Sequence, residues 1–337
     1  MSSRSIDQQV VKFLADVHSV ELQALAQLQL APRIAKGPEL IRAFVEHRHQ
    51  TRAHERLMRE ALENRGGTPS RLKDLAGRVG GVAMIVFARA NPDTPGKLTA
   101  HAFSYENLES AAYGLLECAA RRANDEQLIE LARQIAEEER AMASRLASGF
   151  DVAVDASLQE KGADATGEEL VSYLRDAHAI EAQSLQLLKA ARPLAGAESL
   201  TAAFSDHVDV TREHLRLLEG RLQARGSGPS RLQDYALRAG AINLTAFFAA
   251  QPDTPIKLAG FAFAFEHLEI AAYELLRRIA ERAGDPTTAS IAASICGEER
   301  EAASRIATTW NDAMDVSLDK VGVAVGAGGD PLRAGRA

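Results

Sequence analysis

Between residues 40 and 58 the chain places Leu40, Phe44, His47, Thr51, His54 and Met58 at alternating steps of four and three. That spacing is the buried stripe of an amphipathic helix, yet two imidazoles and a hydroxyl occupy it. The same stripe returns 160 residues later as Leu200, Phe204, His207, Thr211, His214 and Leu218. Burying a polar group without a partner is unfavourable by several kcal/mol, so a core that carries three of them twice needs a compensating interaction.

The repetition extends far beyond this stripe. Shifting the sequence by 160 aligns it with itself from about Phe13 to Leu158 without an insertion. Asp16, His18 and Glu21 return as Asp176, His178 and Glu181; Glu106, Glu109 and Tyr113 return as Glu266, Glu269 and Tyr273; Glu138, Glu139 and Arg140 return as Glu298, Glu299 and Arg300. A repeat of this length is domain-sized, and two copies are too few for a solenoid. The expected organisation is one bundle over 1–150, a linker over 151–165, a second bundle over 166–318 and a disordered Gly- and Ala-rich tail over 319–337.

Within each copy the periodicity predicts helices only. The first starts near Ser5, with Ser5 and Gln8 as a capping box, and stops near Pro32. The second spans about 38–64 and ends at Gly66-Gly67. A connecting helix is expected through the apolar run 82–87 and its counterpart 242–248. Thr94 and Pro95 then cap and open a third helix, and Asn124-Asp125 turn the chain into a fourth. In the second copy Thr166 and Glu169 form the expected capping box. Two helical hairpins joined by a long connector give an all-α fold of two tandem ferritin-like four-helix bundles, each with an extra connecting helix, in which the second and third helices run parallel.

Composition narrows the function. The 337 residues carry a formal net charge of −7, which disfavours nucleic acid and anionic membrane as partners. The N-terminus has no apolar segment of signal-peptide type, and no apolar run is long enough to span a bilayer. Two cysteines, Cys118 and Cys296, fall at non-equivalent positions of the copies and are read as small buried hydrophobes in a reducing, cytoplasmic compartment.

Hairpin arithmetic brings the unusual residues to one height. With the first turn centred near Lys36, Glu21 is level with Thr51, and His47 and His54 lie about 5 Å to either side. With the second turn at Asn124, Glu138 and Glu139 lie opposite Glu109 and Ser110, with Glu106 one turn away. All four helices therefore deliver polar groups inward, and two compensators are open. Divalent metal is one, held by carboxylates and imidazoles from facing helices. A metal-free Glu–His–Arg network is the other, because Arg52, Arg56 and Arg140 also recur, as Arg212, Arg216 and Arg300. His18 and His178 sit at the edge of the core stripe, as further ligands or as structural partners of a neighbouring Glu. Tyr113 and Tyr273 are placed to hydrogen-bond Glu109 and Glu269, four residues earlier, or to serve as redox-active phenols near iron. Asp16 and Asp176 read as solvated, and Arg71/Asp74 and Arg231/Asp234 as turn ion pairs.

At these residues the sequence resembles the ferritin-like proteins of the bacterial YciE/YciF group. The similarity lies in Glu21, in His47-x₃-Thr51-x₂-His54, in Glu106-Asn-Leu-Glu109-Ser-Ala-Ala-Tyr113 and its second copy, and in the Glu138-Glu139 pair. The resemblance implies a di-iron carboxylate site and a ferroxidase or stress-response role. The usual Glu-x₂-His of di-iron bundles is missing from the second and fourth helices, where Thr51 precedes His54 and Met142 follows Glu139. The candidate metal residues are Glu21, His54, Glu106, Glu109, Glu138, Glu139, His18 and His47 in the first copy, and Glu181, His214, Glu266, Glu269, Glu298, Glu299, His178 and His207 in the second.

Three functions fit this set. The first is a non-haem iron or manganese protein with one or two ions per bundle that oxidises Fe(II) with O₂ or peroxide, Glu21, Glu109, Glu139 and His54 being the core ligands. The second is a metal-free structural or interaction protein with a degenerate site, in which the runs 82–87 and 242–248 form an association surface. The third is an oxygenase acting on an organic substrate. The fused copies are expected to form a pseudo-dimer within one chain, with further homo-oligomerisation open.

Overall fold

The computed structural model describes residues 5–69, 94–161, 165–230 and 253–323; the expected connecting helices, both association runs and the pairs Arg71/Asp74 and Arg231/Asp234 lie outside them. The described residues are helical and contain no strand. The first copy comprises α1 (Ile6–Leu28), the short α2 (Ala31–Ile34), α3 (Pro38–Glu63), α4 (Thr94–Arg122), α5 (Glu126–Ser148) and α6 (Phe150–Lys161). The second comprises α7 (Thr166–Ala191), a 3₁₀ turn (Arg192–Leu194), α8 (Glu198–Ala224), α9 (Thr254–Arg282), α10 (Pro286–Thr308) and α11 (Trp310–Lys320).

Local chemistry sets most boundaries. The Ser5 hydroxyl accepts from the Gln8 amide and starts α1. Asp125 and Asp285 do the same for α5 and α10 through Leu128 and Thr288. Asn124 takes a left-handed φ of 55° to turn α4 back as α5, a conformation its short polar side chain tolerates. The expected capping box at Thr166 does not form: α7 begins at Thr166 itself, after Ala165, with no side-chain cap.

Leu28, Phe44 and Leu98 line one cavity at one end of the first bundle, and Val10, Arg65 and Asn124 line another at the opposite end. Thus α3 and α4 run in the same direction, as the long connector predicts, and α1 and α5 run against them.

Two features differ from the expected organisation. Residues 151–161 are not extended linker; they belong to α6, which Gly149 separates from α5. Ala153 and Val154 are fully buried, and the Ser157 hydroxyl accepts from the Gly96 amide. Likewise the chain stays ordered past 318, with α11 reaching Lys320 and Val323 buried.

The copies pack as a pseudo-two-fold pair along α4 and α9. Lys97 pairs with Asp176 at 3.2 Å and Lys257 with Asp16 at 2.9 Å. Arg122 pairs with Asp315 at 2.5 Å and Arg282 with Asp155 at 2.6 Å. Each pair becomes the other when the copies are exchanged. Asp16 and Asp176, expected in solvent, are therefore cross-copy partners; their periodicity places them off the core of their own bundle but says nothing of the neighbour. The apolar core is shared as well, since Leu115 packs within the same cluster as Ile256 and Ala259.

Candidate metal centre

Facing stripes of α1, α3, α4 and α5 converge at mid-bundle. In the first copy Glu21, Glu109, Thr51 and Glu139 are fully buried, and His47, His54 and Glu106 are nearly so. Thr51 contributes no donor to the centre, because its hydroxyl bonds the His47 carbonyl at 3.0 Å. The seven-residue spacing on one helix puts the two histidines two turns apart on one face.

Glu139 stands between them. One of its oxygens lies 2.8 Å from His54 Nδ1, and the other lies 3.3 Å from His47 Nε2. His47 Nε2 is also 2.8 Å from Glu106. None of these three ion-pair contacts has hydrogen-bond geometry: His47 Nε2, His54 Nδ1, one oxygen each of Glu21 and Glu106 and both oxygens of Glu109 and Glu139 are buried without a hydrogen-bond partner. Buried polar atoms are ordinarily hydrogen-bonded; here the donors are held instead by close carboxylate–imidazole contacts.

The donors form two groups that share Glu139: Glu21, His54 and Glu139 in one, and His47, Glu106, Glu109 and Glu139 in the other, with ligand atoms inside 4.8 Å of one another. An ion bound at about 2.1 Å from each donor joins atoms up to about 4.2 Å apart, so little adjustment closes either group. The second copy repeats both groups with Glu181, His214 and Glu299, and with His207, Glu266, Glu269 and Glu299. All of these donors are carboxylate oxygens or imidazole nitrogens, and no thiolate is among them.

Partners around the donors hold them in place. The Tyr113 hydroxyl donates to Glu21, and Tyr273 donates to Glu181 at 2.5 Å. The tyrosines thus reach across to α1 and α7 instead of bonding Glu109 and Glu269 on their own helices, since a side chain four residues on lies above its neighbour while α1 directly faces it. Glu138, 34 % exposed, holds the far nitrogen of His54 at 2.9 Å, and Glu298, 46 % exposed, holds His214 at 3.1 Å. These two carboxylates lie outside both donor groups; they orient an imidazole whose other nitrogen faces the centre. His18 and His178 also lie outside, paired with Glu55 at 3.1 Å and with Glu219 at 3.5 Å.

The metal-free arginine network is not formed. Arg52, Arg56 and Arg212 are exposed, Arg216 pairs with Glu213 and Arg300 with Glu274 at the surface, and Arg140 reaches Ser110. Positions 52 and 56 fall on the solvent face of the same stripe that buries 51, 54 and 58, so recurrence of charge did not mean convergence.

Without a cation the centre holds protons. Burial and the neighbouring Glu139 push Glu21 up to about 8. Burial likewise raises Glu106 to about 7, although His47 opposes it, and Glu109 rises well above the carboxylate range. Burial disfavours charge on His47 and His54, but the surrounding carboxylates overcome it and raise them to about 11 and about 9. Glu139, despite its burial, is pulled down to about 2 by the two histidines. One shared carboxylate thus stays ionised while burial favours the protonated form of the others.

The isolated cysteines are buried and unbonded to each other, as expected. No described helix is long and apolar enough to cross a membrane. No solved structure matches the chain. The family model described as a domain of unknown function, DUF892, matches residues 6–159 and again residues 166–317. The chain belongs to the DUF892 family and carries its domain twice in tandem.

Proposed function

We propose that each bundle binds a pair of divalent cations bridged by Glu139 or Glu299, and that the protein oxidises Fe(II) there with O₂ or peroxide. The observation that carries this reading is the set of donor atoms without hydrogen-bond partners around Glu139, buried in an otherwise apolar interior and repeated around Glu299. The resemblance to the YciE/YciF group points the same way.

His54, Glu21 and Glu139 would hold one cation, and His47, Glu106, Glu109 and Glu139 the other. Glu138 fixes the His54 ring, and Tyr113 fixes Glu21. Arrival of the cations displaces the protons that burial keeps on Glu21, Glu106 and Glu109, so charge enters the core without raising its net charge in step. Iron is then the substrate: two Fe(II) each give up one electron, and O₂ takes both with two protons to leave as H₂O₂. Carboxylate oxygens favour the ferric product.

Elemental analysis and an optical spectrum after aerobic addition of Fe(II) test the reading. Bound iron with a ferric carboxylate absorption is expected. Protein that stays metal-free after loading with Fe(II) and, separately, Mn(II) overturns it.

A further inference from the structure

Each bundle has a small cavity that ends on one of its candidate ligands, Glu106 in the first and Glu266 in the second. The two cavities occupy the same place in the repeat. Phe44, Leu98 and Ala102 on one wall correspond to Phe204, Leu258 and Ala262. The remaining wall has diverged: Gln27, His101 and Tyr105 in the first copy stand where Leu187, Phe261 and Phe265 stand in the second.

We propose that the two centres differ in what can reach them, the second bundle carrying an apolar passage for dioxygen to Glu266 and the first a polar passage suited to water or peroxide. This rests on the metal reading only for its consequence, since the cavities exist whatever the donors hold.

Size and lining decide the class of molecule. The cavities measure about 30 Å³ in the second bundle and about 20 Å³ in the first, enough for one or two water-sized molecules. An organic substrate needs several hundred Å³ (roughly 300–1,000), so neither cavity fits one. A dry apolar cavity takes up apolar guests and gives water no partner, and the Leu187, Phe261 and Phe265 wall offers no donor or acceptor side chain. In the first copy the Tyr105 hydroxyl bonds the Val20 carbonyl at 3.0 Å, and burial keeps the His101 imidazole neutral. Gln27 Nε2 on the same wall is buried without a hydrogen-bond partner and offers a guest a donor. Ser184, which also lines the second cavity, runs counter to this division, but its hydroxyl is turned to Glu269 at 3.4 Å; Ala24 stands at the matching position of the first.

Xenon is the probe, because it needs an apolar cavity and no metal. Crystals of the full chain under xenon pressure are expected to show a xenon peak beside Phe261 and Phe265 and none at His101 and Tyr105. Phe261→His with Phe265→Tyr, which installs the first copy's own residues, is expected to abolish the peak; His101→Phe with Tyr105→Phe is expected to create one in the first bundle. Xenon in both bundles of the unaltered chain, or in neither, overturns the proposal. For the oxidant, a chain keeping only the second centre (His47→Ala, His54→Ala) is expected to oxidise Fe(II) with O₂ several-fold faster than one keeping only the first (His207→Ala, His214→Ala), the gap closing when H₂O₂ replaces O₂. Equal rates with O₂ also overturn it. Failure of both chains to bind Fe(II) strikes the metal reading alone, and the xenon comparison still decides the passage.

Discussion

Glu139 faces His54 at 2.8 Å with one oxygen while its other oxygen faces His47, and Glu299 repeats the arrangement with His214 at 2.9 Å. A single carboxylate therefore belongs to two donor groups at once. Removing it should affect both cations of its bundle, whereas removing Glu21 should affect one. Metal titration read by calorimetry checks this: Glu139→Ala is expected to lose the whole stoichiometry of the first bundle and Glu21→Ala only part, each leaving the second bundle intact. Equal losses from the two variants would show that the groups do not share a ligand.

The pH dependence follows from the proton-holding carboxylates. Glu21 and Glu106 rise in the folded chain from 4.5 to about 8 and about 7. Their contribution to stability is present in full below about pH 4.5 and is lost as pH rises through 7 to 8. The histidines, raised from 6.5 to about 9 and about 11, act in the same sense at higher pH. Glu139, lowered to about 2, works in the opposite sense, stabilising above 4.5 and failing only in strong acid. Metal-free protein is thus expected to melt at a lower temperature at pH 8 than at pH 5.5, and Mn(II) should remove that decline. Cation binding at pH 7 should also release protons, measurable with an indicator dye in weak buffer.

Tyr113 and Tyr273 reach Glu21 and Glu181 from the neighbouring helix. A partner that fixes a ligand typically carries about 10–100-fold in metal affinity. Tyr113→Phe is expected to weaken binding in the first bundle by that order and to leave the second unchanged, with little loss of fold because Phe keeps the ring packed. Unaltered affinity would make the tyrosine a packing residue only.

Gly114 gives a test of the cross-copy contact. A Cβ there would lie 2.4 Å from the Trp310 ring of α11, in the other copy, whereas one at Gly260 would meet only the tip of Leu115 at 2.8 Å. An indole cannot swing aside as a leucine tip can, so Gly114→Ala should destabilise by about 1–3 kcal/mol and Gly260→Ala by less. Denaturant melts of both variants compare them; the reverse order would mean that α11 is loosely held.

The helices and the duplication were legible because a 3.6-residue stripe and a gapless 160-residue repeat are local signals. So were the two histidines and the four core glutamates, since each interrupts an apolar series. Direction around the helix was not. Glu138 and Glu139 are adjacent, and only the burial of Glu139 (0 % exposed) separates a donor shared by two groups from the residue that steadies an imidazole. Glu-x₂-His is absent, and His47, seven residues before His54, brings a second imidazole to the same face. The helix over 150–161 escaped because its buried positions, Ala153, Val154 and Ser157, are small and in part polar. It is tied to its own copy through Ser157 and Gly96 and to the other copy through Arg278 and Arg282 to Asp151 and Asp155.

Those cross-copy ion pairs hold two copies of one domain as a pseudo-symmetric pair within one peptide chain. In a true homodimer every substitution is made twice and must suit both sides of the axis. Fusion ends that obligation and keeps the partners together at high effective concentration. Either half can then differ from the other without breaking the pairing, as the unlike walls of the two cavities do.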